Sequence, residues 1–247
     1  LSTYSIEERM VFIMKIIAHK SNLYNNKTFI ESVNSLEGLT GVMLDIVMTR
    51  DKQVLVFSPV TTNKITINTI QNNNLSELTY YDILTLDDAL NMLNNFKGKI
   101  IINLLPLNEA LLIEDYQKIV SNNLSYTEEV KKVTDRFSDL DIYVCSSSYN
   151  LLYQIIRVFT NRKNGVVLSE DSGSYIDVDF YIFIPSMLNE KIMAEQLSIG
   201  KEVMVKMEDA DDISIVINFL EKNRKNKENY QYITNHAKIF YYSVNNI

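Results

Sequence analysis

Short apolar runs, separated by segments of helical periodicity, extend along the whole chain. The runs are stretches of Ile, Val, Leu and Tyr with little polar alternation, which is typical of strands covered on both faces. They predict eight strands, at residues 15–18, 41–49, 54–57, 99–105, 141–146, 165–169, 180–185 and 202–207. Strands that alternate with helices indicate an α/β fold with a parallel sheet, and eight strands is the number that closes a (β/α)8 TIM barrel.

The intervening segments carry apolar stripes at helical spacing. We expect each stripe to pack against the sheet rather than to bind a ligand. The three clearest stripes are Phe29, Ile30, Val33 and Leu36; Leu86, Ala89, Leu90, Leu93 and Phe96; and Ile213, Val216, Ile217 and Leu220. Thr85, followed three residues later by Asp88, is a carboxylate version of the capping box and predicts where the second of these helices begins. Residues 108–133 predict two helices with a break near 121–125, where Ser and Asn cluster.

Length, charge and cysteine content limit the possible classes of protein. The 247 residues fit one barrel domain spanning 1–247, because α/β barrels reach about 250 residues as a single domain. The formal net charge of -7 argues against a nucleic-acid partner, which would require clustered Lys and Arg.

The single cysteine, Cys145, excludes an intramolecular disulfide, and its apolar surroundings predict burial. We expect neither a signal peptide nor a transmembrane segment, and the localisation stays open.

Polar residues at the ends of the first three apolar runs form the candidate site. The first run ends at His19-Lys20-Ser21, the second ends at Asp45, and the third ends at Ser58-Pro59. Side chains at the C-terminal ends of neighbouring parallel strands converge on one face of a barrel, where barrel enzymes have their active sites. We therefore expect these residues to lie close together.

The same segments resemble the opening of a glycerophosphodiester phosphodiesterase. The resemblance is carried by Ile-Ile-Ala-His-Lys at 16–20, by Thr28 at the start of a helical pattern, and by Gly-Val-Met-Leu-Asp-Ile-Val at 41–47. Residues 75–90 are similar to the stretch before the third helix of that family. Residues 199–207 and Tyr-Ile-Thr-Asn at 232–235 are similar to its last barrel strand and closing segment. The resemblance thus implies a phosphodiesterase-like barrel over nearly the whole chain.

The family cleaves phosphodiesters with two histidines as acid and base and with a divalent cation held by carboxylates. The resemblance assigns His19 to the first histidine, Lys20 to the phosphate-facing Arg, and Asp45 to a ligand carboxylate. Asn26 and Met43 take the places of ligand glutamates. Lys keeps the charge of Arg but loses its bidentate geometry.

Three further positions depart from the family pattern. Ser58-Pro59 replaces the His-Asp after the third strand, Leu105 falls where a Glu is expected on the fourth, and Lys206 replaces the usual Trp on the eighth. By this alignment one histidine and one ligand carboxylate remain. A lone carboxylate rarely holds a hard cation such as Mg²⁺ or Ca²⁺, so no cofactor is expected.

Two arrangements could replace the lost ligands. Lys20 or Lys206 could form a salt bridge with Asp45 in place of the cation, because an unpaired buried carboxylate is costly. Alternatively, carboxylates after the sixth and eighth predicted strands could form a relocated cation site, with His236 as a second acid or base. These carboxylates are Glu170, Asp171, Glu208 and Asp209.

The sequence favours a phosphodiesterase-like barrel that has lost hydrolysis and that serves in binding or scaffolding. In this hypothesis His19 is a remnant of the catalytic pair, and Lys20 and Lys206 bind phosphate. The alternative is an active enzyme of lipid metabolism that uses Mg²⁺ or Ca²⁺ to hydrolyse glycerophosphodiesters or phospholipid headgroups through His19 and Asp45. A barrel enzyme of another chemistry is a third possibility, because fold does not fix function. A small phosphodiester or a phospholipid headgroup is the expected ligand, and the sequence names no protein partner.

Overall fold

The computed structural model describes residues 15–19, 26–33, 39–57, 65–79, 81, 83–107, 116–168, 176–223 and 228–235. Within these ranges the strands are β1 Lys15–His19, β2 Leu39–Met48, β3 Val54–Val56, β4 Leu84–Thr85, β5 Lys99–Leu104, β6 Ile142–Ser146, β7 Lys163–Leu168, β8 Phe180–Phe183, β9 Glu202–Met207 and β10 Tyr230–Thr234. The α-helices are α1 Asn26–Val33, α2 Ile67–Asn72, α3 Leu86–Met92, α4 Tyr116–Thr134, α5 Tyr149–Val158, α6 Glu190–Ser198 and α7 Ala210–Lys222. Short 3₁₀ helices span Leu75–Leu78 and Pro185–Met187.

Eight of the strands form a closed parallel barrel. They are paired in the order β1, β2, β5, β6, β7, β8, β9 and β10, and the parallel pairing of β10 with β1 closes the ring. Two apolar clusters lie between the barrel wall and the surrounding helices. The predicted (β/α)8 TIM barrel is confirmed. No helix within the described ranges is long and apolar enough to span a bilayer.

The membership of the barrel differs from the prediction at two strands. The run at 54–57 was predicted as a barrel strand, which is wrong, because β3 returns antiparallel along β2 and β4 adds antiparallel beside it. Residues 49–53 connect β2 to β3, and so short a connection cannot make a parallel crossover, which needs a dozen or more residues. The eighth barrel strand is β10, which the sequence analysis treated as a closing segment.

Helix α4 is continuous over its 19 residues, so the predicted break near 121–125 is wrong. The hydroxyl of Thr127 donates to the carbonyl of Asn123 at 2.7 Å inside the helix. Tyr126 is fully buried in the core, and its hydroxyl donates to the carbonyl of Ile46 in β2 at 2.8 Å. Packing of this face against the barrel outweighs the weak helix propensity of the Ser and Asn residues. Leu36, predicted on the stripe of α1, lies outside the described residues.

Side chains inside the barrel form an apolar middle with polar groups at both ends. Every second residue of a strand points inwards because side chains alternate between the two faces. The apolar middle contains Ile17, Met43, Ile101, Tyr143, Cys145, Val167, Phe180, Ile182, Met204 and Ile233. The polar ends begin two residues away from this layer along a strand. Thus His19 follows Ile17 by two residues, and Glu202 and Lys206 lie two residues before and after Met204. The burial predicted for Cys145 is confirmed.

Two glycines make room for larger side chains inside the barrel. A Cβ atom on Gly165 would lie 2.2 Å from the ring of Phe180. A Cβ atom on Gly41 would lie 2.8 Å from both the Cγ atom and the carbonyl oxygen of Lys99. The absence of these side chains therefore lets the Phe180 ring fill the barrel and Lys99 reach its N-terminal end.

Glu202 collects the polar groups at the N-terminal end of the barrel. Its Oε1 atom accepts hydrogen bonds from Lys163 at 2.5 Å and from the Tyr143 hydroxyl at 3.1 Å. Its Oε2 atom accepts from Lys99 at 2.5 Å and from the Gln231 amide at 2.7 Å. The two ammonium groups also lie over the Tyr143 ring, 4.7 and 5.1 Å from its centroid. One carboxylate thus joins β5, β6, β7, β9 and β10.

Candidate functional site

The candidate site is the polar layer at the C-terminal end of the barrel. His19 is the last residue of β1, and Asp45 lies on the adjacent β2. Asn103 lies opposite Asp45 on β5, Lys206 lies on β9, and Asn235 follows β10. These positions are those at which parallel strands present their ends to one face, so the convergence expected for His19 and Asp45 is observed.

His19 is held between two oxygen atoms. Its Nε2 atom lies 3.0 Å from Oδ2 of Asp45, and its Nδ1 atom lies 3.0 Å from Oδ1 of Asn235. The amide nitrogen of Asn235 donates to the carbonyl of Glu208 at 3.1 Å, which turns its oxygen towards the ring. Both ring nitrogens therefore face side-chain oxygen atoms of the protein.

Asp45 has a partner at each carboxylate oxygen. Oδ2 faces His19, and Oδ1 accepts from the amide nitrogen of Asn103 at 2.7 Å. Burial raises the pKa of Asp45, but the charges of His19 and Lys206 and the two hydrogen bonds outweigh it, so the pKa lies well below its usual range. Asn103 is oriented in turn by the Cys145 thiol, whose Sγ atom lies 3.7 Å from the amide oxygen. Asp45 is thus an anion whose two oxygens both bind side chains of the barrel.

Lys206 supplies a second cation at the same end of the barrel. Only 9% of its side chain is exposed, and its ammonium group lies 2.8 Å from the carboxylate of Glu208. Of the two lysines predicted as alternative partners of Asp45, Lys206 does not form the salt bridge, because its ammonium group is paired with Glu208 and the Asp45 carboxylate is bound by His19 and Asn103. Lys20, the other alternative, lies outside the described residues. Burial lowers the pKa of Lys206, but the charges of Asp45 and Glu208 outweigh it and keep the pKa above its usual value. Lys206 therefore lowers the pKa of Asp45 through the electrostatic effect of its charge, without a direct salt bridge.

Solved phosphodiesterases have the same fold. One from Oleispira antarctica, in complex with the product sn-glycerol-3-phosphate, has a TM-score of 0.71 at 14% identity, covering 94% of this chain and 96% of its own. A glycerophosphodiester phosphodiesterase from Parabacteroides distasonis has a TM-score of 0.70 at 14% identity, covering 94% and 97%. One from Agrobacterium tumefaciens has a TM-score of 0.62 at 14% identity, covering 92% and 98%. No protein-family model and no curated protein matches the sequence.

The chain has the fold of the glycerophosphodiester phosphodiesterases. The resemblance seen in the sequence is therefore confirmed for the fold, and identities this low say nothing further about the chemistry. What the phosphodiesterase fold does in this chain depends on the residues at the ends of its strands.

Met43 and Leu105, which replace two of the ligand positions of the family, do not offer cation ligands. Met43 is buried in the apolar middle of the barrel, one layer below Asp45. Leu105 packs into the small apolar cluster between β2, β3 and the 3₁₀ helix at Leu75–Leu78. Asn26 is the first residue of α1. Lys20, Ser58, Glu170, Asp171 and His236 lie outside the described residues.

The carboxylates considered for a relocated site have other contacts. Glu208 is 64% exposed and is paired with Lys206. Asp209 caps α7 by accepting a hydrogen bond from the backbone nitrogen of Asp212 at 2.9 Å. Neither side chain is directed at Asp45 by a contact in the described part of the chain.

The donor set around Asp45 does not fit Mg²⁺ or Ca²⁺. Among the described residues, no three His, Cys, Asp or Glu side chains are grouped so that they could hold a metal ion. Both oxygens of Asp45 already bind side-chain donors, and the remaining charged neighbour, Lys206, is a cation. Hard cations need several oxygen ligands, and a nearby ammonium group opposes them.

Two residues of this site, Asn103 and Asn235, were missed in the sequence. Asn103 stands in an apolar run that reads as a buried strand, and Asn235 follows Tyr-Ile-Thr in a segment that was not assigned to the barrel. Their amides reach Asp45 and His19 only because β2 pairs with β5 and β10 pairs with β1. A polar residue at the inward-facing end of a buried strand is the signal that could have found Asn103.

Proposed function

We propose that this chain is a phosphodiesterase-like barrel that does not hydrolyse phosphodiesters and that binds a small phosphodiester or phospholipid headgroup at the C-terminal end of the barrel. The observation that carries the proposal is the state of Asp45: its two oxygens are occupied by His19 and Asn103. A carboxylate in that state is a counterion within the protein and is not free to hold a cation.

The contacts of His19 support the loss of acid–base chemistry. A general base must have a free nitrogen within hydrogen-bonding distance of the proton that it removes. Nε2 faces Asp45 and Nδ1 faces Asn235, so neither nitrogen is available to a ligand in this arrangement. The proposal therefore gives His19 a positioning role towards Asp45.

The charge of Lys206 supports binding of an anion at the same place. The ammonium group of Lys206 is paired with Glu208, whose side chain is 64% exposed and can move away. A phosphate group could then replace the Glu208 carboxylate as the partner of Lys206. Lys20 follows β1 directly in the sequence and is proposed as a second phosphate-binding residue. The similar Oleispira antarctica protein holds sn-glycerol-3-phosphate.

Loss of hydrolysis is tested by turnover. We expect no hydrolysis of glycerophosphocholine, glycerophosphoethanolamine or bis(p-nitrophenyl) phosphate above the rate of a His19→Ala variant, with Mg²⁺, Ca²⁺ or Mn²⁺ present. A general acid and a general base each typically contribute about 10²–10⁴-fold, and metal neutralisation contributes several kcal/mol more. Metal-dependent turnover that His19→Ala abolishes would contradict the proposal and would favour an active enzyme with relocated ligands.

Ligand binding is tested separately by calorimetry. We expect sn-glycerol-3-phosphate to bind, and Lys206→Met to weaken binding by about tenfold, because a partly desolvated charged hydrogen bond contributes about 1.5–3 kcal/mol. The matched control is Lys132→Met on the outer surface of α4, where the side chain is 68% exposed and equal binding is expected. Equal affinity in the wild type and Lys206→Met, or no binding at all, would refute the binding role.

A further inference from the structure

The opposite, N-terminal end of the barrel has a cavity of its own. Its volume is about 410 Å³, and its polar lining comprises Lys15, Thr40, Lys99, Lys201, Glu202, Asn229 and Gln231. These residues lie at or next to the first residues of their strands, whereas His19 and Asp45 lie at the other end, beyond the apolar middle of the barrel. The volume is in the range of small-molecule sites.

The cavity holds more positive than negative charge. The carboxylate of Glu202 is shared by two ammonium groups, those of Lys99 and Lys163. The ammonium group of Lys201 is paired with Asp177 at 2.6 Å. Lys15 has no carboxylate partner among the described residues. The cavity is thus lined by three ammonium groups, those of Lys15, Lys99 and Lys201, and by one carboxylate, that of Glu202, which leaves a surplus of two positive charges in its lining. The chain as a whole has a formal net charge of -7.

Glu202 also lines the cavity, but its carboxylate is already held by groups of the barrel. Both of its oxygens accept two hydrogen bonds each from within the barrel, and only 21% of the side chain is exposed. Asp177, in contrast, is 92% exposed and holds Lys201 from the outside. The cationic groups at the cavity are therefore presented to a molecule that enters from solvent, with the side-chain amides of Asn229 and Gln231 beside them.

We propose that this cavity binds a small phosphorylated anion with at least two negative charges. Lysine ammonium groups bind phosphate as point charges, and a dianion matches the surplus of two positive charges. The site is independent of the one built around Asp45, since none of its lining residues contacts His19, Asp45 or Lys206 in the described structure. Lys15 and Lys201 are its anion-binding residues, and Lys99 contributes charge while it holds Glu202.

Calorimetric titration of the full chain with inorganic pyrophosphate tests the site. We expect one pyrophosphate to bind per chain, with an affinity that falls as salt is added. Lys15→Gln should weaken binding by about fivefold, and Lys15→Glu should abolish it, because the reversed charge repels the anion. Lys15 is exposed, so both variants are expected to keep the thermal stability of the wild type.

Two variants locate the binding. Lys132→Gln removes one positive charge from the outer surface and should leave pyrophosphate binding unchanged. Lys206→Met alters the phosphate site proposed at the opposite end of the barrel and should leave the Lys15-dependent binding of pyrophosphate unchanged. Absence of pyrophosphate binding, or binding that survives Lys15→Glu and is lost in Lys206→Met, would overturn the proposal. Either result leaves the turnover experiment on the other site unaffected.

Discussion

Replacing Glu202 by Gln is expected to lower the free energy of unfolding by about 3 kcal/mol at neutral pH. The substitution keeps the size of the side chain but leaves Lys99 and Lys163 without their carboxylate. Removing one partner of a buried ion pair typically costs about 3–5 kcal/mol, and the partial exposure of this group places it at the low end. Urea denaturation measures the change. The control is Glu221→Gln on the exposed face of α7, which should change stability by less than about 0.5 kcal/mol.

The difference between the wild type and Glu202→Gln should depend on pH in a defined direction. Burial raises the pKa of Glu202, but hydrogen bonds from Lys163, Lys99 and Gln231 and the Lys99 charge outweigh it and lower the pKa to about 2. A pKa that is lower in the folded state than in the unfolded state gives stability that is present above the unfolded value, about 4.3, and is lost as the pH falls towards 2. The difference should therefore shrink across that interval. A constant difference from pH 7 to pH 2 would mean that charge is not its cause.

Replacing Asp45 by Asn is expected to lower the free energy of unfolding by about 2–4 kcal/mol. His19 and Lys206 would lose the negative charge beside them, and the new amide could offer an oxygen to only one of the two partners, His19 or Asn103, while its nitrogen faced the other. The matched control is Asp177→Asn, at a salt bridge whose carboxylate is 92% exposed, where a change below about 1 kcal/mol is expected.

The sign of the Asp45→Asn effect distinguishes two kinds of site. In a cluster of carboxylates built to hold a metal, removing one negative charge relieves repulsion, and the metal-free protein becomes more stable. In a site where the carboxylate faces an ammonium group and hydrogen-bonding partners, the same change destabilises. The pKa of Asp45 lies well below its usual range, so its contribution is present above about pH 3.9 and decreases as the pH falls below that value. An increase in stability would contradict the arrangement described for Asp45.

The sequence was informative about the fold because most barrel strands are continuous apolar runs that end in recognisable polar residues. It was misleading where a strand lies outside the barrel: the run at 54–57 has the same composition as a barrel strand, and only its pairing with β2 shows its direction. β10 was missed for the opposite reason, because Tyr, Gln and Thr give it a less apolar composition than its neighbours.

The candidate site divides in the same way. His19, Asp45 and Lys206 could be predicted because each ends or interrupts an apolar run. The partners of these residues could not be predicted. Glu208 forms its ion pair with Lys206 because of the local geometry after β9, and Asn235 contacts His19 only when the barrel is closed. The Glu202 cluster was also missed, because a Lys or Glu at the first residue of a strand reads as a solvated end when its neighbours across the barrel are unknown.

The hydrogen bond between His19 and Asn235 joins residues that are 216 positions apart in the sequence. It depends on the pairing of β1 with β10, which is also the contact that closes the barrel. Contacts of such sequence separation carry a large loop-closure entropy and form late when a chain folds. During synthesis, β1 can therefore pair with β10 only after β10 has left the ribosome. Until that moment the contact with Asn235 that orients the His19 ring towards Asp45 cannot form.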